Sequence, residues 1–311
     1  MVPAVHNTEN HCPYLKLLGI SKVYGETVAL SDLSVDVPEN AIFGIIGPDG
    51  AGKSTLMKIA VRLQNPDTGS LTPATGAIYQ PGGIGYMPQE FSLYPDLTVK
   101  ENLRFFADLY HITGELRRER YNRMLEFSRL TAFTDRRAEN LSGGMRQKLA
   151  LICVLMFAPP LLILDEPTTG VDPMARAELW EMLHQLREEG RTILVSTPYM
   201  EEAVQCDEVL FLSHGKKLAH NKPKELQNNY TGRLFELRTD DIMKALDRLE
   251  EESWIHLIYP KGDKLHLSIR DSSLEQSQIH TMLETSLGEK LSLERITPGM
   301  EDVYAALEGS E

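Results

Sequence analysis

The run Gly47-Pro48-Asp49-Gly50-Ala51-Gly52-Lys53-Ser54 constrains this chain more than any other feature. It follows a short apolar stretch, Ala41 to Ile46, and precedes a helical pattern that starts at Lys53. Strand, glycine-rich turn and helix, in that order, open an α/β unit. Glycines let the backbone curl until successive N–H groups converge on one anion, and the helix N-terminus adds a favourable dipole. The loop matches the phosphate-binding pattern G-x-x-x-x-G-K-[ST] in the context that the pattern requires. Lys53 is then expected to reach the outer phosphates of ATP and Ser54 to ligate Mg²⁺, with Thr55 beside it in the binding set.

A second signal lies downstream. Leu161-Leu162-Ile163-Leu164 is wholly apolar, as a strand inside a parallel sheet is, and it ends in Asp165-Glu166. Acids at that end lie on the carboxyl edge, where open α/β sheets bind ligands. Asp165 is expected to hold Mg²⁺ through water, and Glu166 to polarise the attacking water as general base.

A helical pattern over Ala175 to Arg187 and a strand over Thr192 to Ser196 continue the alternation of a doubly wound α/β core. Between Val99 and Leu155 the pattern is mainly helical, with Leu103, Phe106, Ala107 and Tyr110 on one face and Met124, Phe127 and Leu130 on another. Pro223 and the pair Asn228-Asn229 mark a boundary. Beyond it the expected order is strand (Arg233 to Leu237), helix (Asp241 to Glu250), strand (Trp254 to Tyr259) and a turn at Pro260 to Asp263. Strand (Leu265 to Ile269), helix (Ser273 to Leu287), strand (Leu291 to Ile296) and helix (Met300 to Leu307) follow. That is the βαββαβ, ferredoxin-like order. The expected organisation is a tail at 1–13, a P-loop NTPase domain at 14–225 with a helical subdomain at 92–157, and an α+β module at 226–311.

Composition excludes several classes. A net charge of −13 argues against a nucleic-acid partner. The longest apolar run, Leu149 to Leu164, is broken by Pro159-Pro160 and is too short to span a bilayer. The opening residues, with Asn7, Thr8, Glu9 and Asn10, carry no basic-then-apolar signal pattern, so a cytoplasmic chain is expected. Cys12, Cys153 and Cys206 have no metal spacing and are expected to be reduced thiols.

Between the two phosphate-related motifs lies Leu141-Ser142-Gly143-Gly144-Met145-Arg146-Gln147, a serine and two glycines at the head of a long apolar helix. Such a head is a second anion site. With it, the chain from Tyr14 to about Leu218 resembles the ABC ATPases, whose signature is this run in this order and spacing. The resemblance implies further roles. Tyr24 would stack on adenine. Gln89, in Gly85-Tyr86-Met87-Pro88-Gln89, would sense Mg²⁺ and nucleotide and relay this to a membrane subunit. Asp172, in Gly170-Val171-Asp172-Pro173, would contact a partner cassette. Two cassettes would sandwich two ATP molecules, with Leu141 to Met145 of one acting on the ATP of the other. An integral membrane permease and a second cassette are the implied partners, and the cytoplasmic face of a membrane the implied location.

Within the family, Glu166 to Pro173, Tyr199-Met200-Glu201-Glu202-Ala203 with Cys206-Asp207, and Pro298 to Tyr304 are similar to the ABC-2-type exporter group. One departure stands out. Where the family places a γ-phosphate-contacting histidine, this chain reads Ser196-Thr197-Pro198-Tyr199, and proline offers no side-chain donor and no N–H. His214 precedes Gly215 in a hairpin pattern and is not expected to replace it. The chain's own ATP site is therefore expected to be weakened. The competing classes are a non-transport ABC ATPase, of the chromosome-structure or repair kind, and a regulatory ATP sensor that binds without turning over. A chromosome-structure ATPase would need long heptad stretches, which the interval between loop and signature lacks. Phe91, Leu93 and Tyr94 are expected to receive a permease helix, and the C-terminal module to serve dimerisation or regulation.

Overall fold

The computed structural model describes residues 13–90, 93–271, 273–288 and 290–309. Phe91, Cys12 and the tail residues Asn7 to Asn10 lie outside the described residues. The chain divides between Lys222 and Pro223 into two compact units. No helix among the described residues is long and apolar enough to cross a membrane.

The first unit holds two sheets. Strands β1 (Leu15–Tyr24), β2 (Thr27–Val37) and β4 (Thr68–Pro73) form an antiparallel layer in the order β2-β1-β4. The second sheet contains β3 (Ile42–Ile46), β5 (Ile84–Met87), β6 (Leu161–Asp165), β7 (Thr192–Thr197), β8 (Glu208–Ser213) and β9 (Lys216–Asn221). Its order is β5-β6-β7-β3-β8-β9, parallel except for β9 at one edge. Every residue of β3, β6 and β7 is buried, because a central parallel strand is covered on both faces. Leu15, Leu17 and Ile20 of β1 share one core with Phe43, Ile45, Leu161 and Ile163 of the parallel sheet, which fastens the two sheets together.

The helices are α1 (Lys53–Ala60), α2 (Val99–Leu109), α3 (Gly114–Ser128), α4 (Gly143–Leu155) and α5 (Pro173–Glu188). A capping box fixes the start of α2: Thr98 accepts from the Glu101 N–H, and the Glu101 carboxylate accepts from the Thr98 N–H. From Lys148 to Leu155 every residue of α4 is buried, as expected of a helix enclosed by α2, α3 and α5. Trp180 is buried on α5, with 4% of its surface exposed.

Register sets up the site. Asp165 pairs with Ser196, and Ile46 pairs with Thr197. Three neighbouring parallel strands, β6, β7 and β3, thus end together and deliver their following loops to one edge.

The second unit contains α6 (Pro223–Asn228), β10 (Arg233–Arg238), α7 (Ile242–Leu249), β11 (Leu257–Lys261), β12 (Lys264–Ile269), α8 (Gln276–Leu287), β13 (Ser292–Ile296) and α9 (Met300–Glu308). The sheet order β11-β12-β10-β13, antiparallel throughout, is the ferredoxin-like arrangement. The division falls ahead of the Asn228-Asn229 pair, because Pro223 opens a helix that packs on α9. The second strand expected in this unit is also displaced. It runs through Pro260 instead of turning there, and Trp254 precedes it, its indole N–H donating to Glu252 Oε2 at 2.9 Å. A proline is tolerated in β11 because the strand is at the sheet edge. Beneath α9, Asp302 is buried: Tyr259 donates to its Oδ1, His266 Nδ1 lies 2.5 Å from the same oxygen, and the Gly299 N–H reaches Oδ2 at 2.7 Å.

Candidate active site

The loop after β3 is seated against β8 and β2 so closely that only glycine fits at two points. A Cβ on Gly47 would lie 2.1 Å from the Leu212 carbonyl oxygen. At Gly52, whose φ of 103° already favours glycine, it would lie 2.4 Å from the Ala29 carbonyl oxygen. Pro48, Asp49 and Gly50 are exposed at the crest, and Ala51 is buried behind them. Gly52 caps α1 without a side-chain acceptor, and no acid occupies the helix's first turn. The first-turn N–H groups therefore keep their capacity for an external anion. Ser54 and Thr55 are half-buried on that turn.

Lys53 is 4% exposed, and a buried ammonium is costly unless paired. Its Nζ donates to the carbonyls of Gly47 (2.9 Å) and Pro48 (3.0 Å) and lies 3.1 Å from Glu166 Oε1. Glu166 is itself 4% exposed and stands at φ 52°, a rare backbone state for a residue with a side chain. Its other oxygen, Oε2, accepts from Gln89 Nε2 at 2.9 Å and from Thr169 Oγ1 at 3.2 Å. Of the three residues assigned to chemistry from the sequence, Glu166 thereby contacts both Lys53 and Gln89.

Ser196 links the acids. Its hydroxyl donates to Asp165 Oδ1 at 2.6 Å and accepts from the Glu166 N–H at 3.0 Å. Near Asp165, burial and the carboxylate's charge push the Tyr86 phenol up to about 12, and its hydroxyl is buried without a hydrogen-bond partner among the described residues. The donors named for Mg²⁺, namely the Ser54 hydroxyl, the Gln89 amide oxygen and the Asp165 carboxylate, are all hard oxygens, which suits that ion. No group of three or more His, Cys, Asp or Glu side chains that could hold a metal ion occurs among the described residues.

Other sequence-assigned residues lie apart from this contact. Ser142 caps α4, accepting from the Met145 N–H at 3.3 Å, with Leu141 buried before it. A Cβ on Gly144 would come within 2.3 Å of Ala175 Cβ, so glycine is what lets α4 and α5 meet at their first turns. The hydrogen bonds of this run are local, and none among the described residues reaches Lys53 or Glu166. Asp172 caps α5, accepting from the N–H groups of Met174 and Ala175, with Pro173 at the first helical position. Tyr24 is 44% exposed at the end of β1, its hydroxyl donating to Gln64 Oε1. Pro198 directly follows β7. His214 occupies the β8–β9 turn at φ 45°, its Nδ1 2.9 Å from Ser213 Oγ.

Sequence reasoning missed Ser196, Thr169 and a buried Glu202. The signal for Ser196 was present: a hydroxyl ending a run of apolar strand residues, on the strand beside Asp165.

A family model described as ABC transporter matches residues 30–169. The chain is 47% identical over 214 residues to the probable multidrug ABC transporter ATP-binding protein YbhF of Escherichia coli. That match covers 67% of this chain and 37% of the relative, so the chain spans little more than a third of that protein's length. It is 35% identical over 308 residues to the Nod factor export ATP-binding protein I of Ralstonia nicotianae, covering 96% of this chain and 95% of that one. Among solved structures, cbiO1 of Clostridium perfringens, part of the ABC transporter complex cbiONQ, aligns with a TM-score of 0.64 at 26% identity, over 70% of this chain and 91% of that one. A dimeric ATP-binding cassette in a post-hydrolysis state, bound to ADP and Pi, aligns with a TM-score of 0.60 at 28% identity, over 67% and 98%. A likeness running through nearly the whole of one relative, together with cassette neighbours of the first unit's size, leaves one assignment: the chain belongs to the family of ABC transporter ATP-binding proteins.

Proposed function

We propose that this chain binds and hydrolyses MgATP and thereby powers export through a separate membrane permease. The observation that carries the reading is the Glu166 carboxylate, held between Lys53 Nζ at 3.1 Å and Gln89 Nε2 at 2.9 Å beside the phosphate loop. A carboxylate fixed on both oxygens is oriented to take a proton from water as that water attacks the γ-phosphorus and the bond to the bridging oxygen breaks. Lys53 and the loop's N–H groups offset the phosphate charge. Ser54, Gln89 and Asp165 are the side chains suited to hold Mg²⁺, which when bound neutralises the β- and γ-phosphate oxygens. Tyr24, exposed at the end of β1, offers a ring face for adenine.

Ser142, Gly143 and Gly144, whose run makes only local hydrogen bonds among the described residues, are assigned to a partner cassette's ATP, with Asp172 at the contact between cassettes. Export is the direction named for one of the two relatives, the Nod factor export ATP-binding protein, and the other is named a probable multidrug ABC transporter ATP-binding protein. The cargo pathway belongs to the permease, and the chain acts at the cytoplasmic membrane face by docking on it. Leu93 and Tyr94, ahead of α2, are the described part of the docking patch. The second unit is assigned to dimerisation or regulation. Pro198 in the switch position makes this chain's site the slower member of an asymmetric pair, since losing one placed donor commonly costs about two orders of magnitude in rate.

The test is a pair of variants. Lys53→Ala should lose binding of a fluorescent ATP analogue, and Glu166→Gln should keep it while turnover falls about 100-fold or more. Wild-type turnover in Glu166→Gln would remove the assigned base and, with it, the reading.

A further inference from the structure

Glu202 is a buried acid that the mechanism above does not use. It is 3% exposed, on the short 3-10 segment Met200–Gln205 that follows β7. Its Oε2 accepts two hydroxyls, Thr168 Oγ1 at 2.9 Å and Thr197 Oγ1 at 2.5 Å, and both threonines are wholly buried. Thr168 belongs to the loop that carries Glu166, and Thr197 immediately precedes Pro198 and also accepts the Tyr199 N–H at 3.1 Å. On the other side, Glu202 Oε1 faces Arg176 Nε at 3.6 Å. Neither of these two buried atoms has a hydrogen-bond partner among the described residues, so the pair faces each other without closing. Arg176 lies in the first turn of α5, its N–H bonded to the Asp172 carbonyl at 2.9 Å and its guanidinium 4.0 Å from the centroid of the Tyr199 ring.

We propose that Glu202 is a positioning residue for hydrolysis. Its carboxylate fixes the Glu166 loop to the Pro198 loop and, through Arg176, to the turn where Asp172 sits. A buried anion is expensive, and one whose Oε2 ties two separate segments while its Oε1 faces the charge of a third returns that cost as fixed relative position. With proline in the switch position, this tie is what sets the 197–199 loop against Glu166. A displacement near 1 Å of a reacting group costs on the order of 100-fold in rate. The inference rests on Glu166 being the base.

The experiment uses the full-length chain with Glu202→Ala, Glu202→Gln and Thr168→Val, and Glu166→Gln as control. Turnover and the Kd for a fluorescent ATP analogue with Mg²⁺ are both measured. Glu202→Ala should lower kcat by about 30- to 100-fold with Kd within about 3-fold, because the phosphate loop is untouched. Glu202→Gln, which keeps an acceptor for one hydroxyl, should lose less, and Thr168→Val should fall between. In a Glu166→Gln background, Glu202→Ala should cost less than about 3-fold more, since both changes remove the same function. Wild-type kcat in the Glu202 variants would overturn the inference. So would parallel loss of kcat and nucleotide affinity in Glu202→Gln and Thr168→Val, or full additivity with Glu166→Gln, which mark a merely structural acid. If Glu166→Gln itself keeps wild-type turnover, the base assignment and this inference fall together; if it loses turnover while the Glu202 variants do not, only this inference falls.

Discussion

At the scale of single residues, the site is organised by hydroxyls as much as by charges. Ser196 serves Asp165 with its proton and Glu166 with its lone pair, so one side chain sets both acids. Ser196→Ala should leave Asp165 Oδ1 and the Glu166 N–H short of a partner and weaken the hold on Mg²⁺. At about 0.5–1.5 kcal/mol per net hydrogen bond, the Mg²⁺ concentration for half-maximal ATPase should rise by roughly 3- to 10-fold. A Mg²⁺ titration of turnover at saturating ATP checks it; an unchanged midpoint would show that Ser196 does not orient the ligand. Glu166 adds a backbone condition. At φ 52° it is held in a state that costs on the order of 1–3 kcal/mol and persists only where surroundings enforce it. Lys53, Gln89 and Thr169 supply that enforcement at the side chain.

At the scale of elements, α9 is pinned by a polar cluster instead of by apolar packing alone. Burial pushes the Asp302 carboxyl up, but His266, Tyr259, the Gly299 N–H and Lys261 together outweigh it and leave it below the usual carboxylate range. Asp302 therefore binds its proton less readily folded than unfolded. Its contribution is complete above the ordinary carboxylate pKa and is lost as pH falls through the depressed value, so α9 should loosen below about pH 4. Tyr259 is shifted the other way, by burial and by its bond to Asp302, so its contribution is full below the ordinary phenol pKa and is lost as pH rises above about 10. Asp302→Ala should destabilise the second unit by about 3 kcal/mol, because it strands a buried donor on each side. Hydrogen exchange at the α9 amides across pH reads both effects; flat protection from pH 3 to pH 11 would contradict them.

Elements also show what the sequence could and could not announce. The phosphate loop, β6, β7 and the start of α5 follow from local patterns, because glycine spacing, apolar runs and an Asp-Pro cap are local causes. In the antiparallel layer β1 alternates and β2 ends at the turn Pro38-Glu39-Asn40, both local signals, but β4, with Thr68, Gly69 and Ser70 exposed, carries no pattern and is defined only by its pairing with β1. Pro260 suggested a turn because strand interiors exclude proline, and only the edge position of β11 explains its presence. Lys53, Asp165 and Glu166 were legible in kind. The burial of Glu202 was not, because a 3-10 segment of six residues is too short for its pattern to reveal which of two adjacent acids turns inward.

At the scale of the whole molecule, Pro198 is the feature with the widest reach. In the assembled transporter, Pro198→His should raise turnover at this chain's site by about 10- to 100-fold, by restoring a donor to the transferring phosphoryl group. Ser142→Arg should stop most turnover in the complex, by spoiling the surface offered to the partner's ATP. ATPase measurements on both variants test this; fast hydrolysis by the isolated wild-type chain, unaltered by Pro198→His, would contradict the asymmetric pair. Ending the chain at Lys222 should leave nucleotide affinity within about 3-fold, because loop, acids and signature all fall in the first unit. The same division has a spectroscopic consequence. The chain has two tryptophans, Trp180 buried in the first unit and Trp254 half-buried in the second. Each unit therefore carries its own intrinsic fluorophore. Trp180→Phe leaves an emission that follows only the second unit, and Trp254→Phe leaves one that follows only the first. Two single-tryptophan chains are enough to learn, without any label, whether one unit melts before the other.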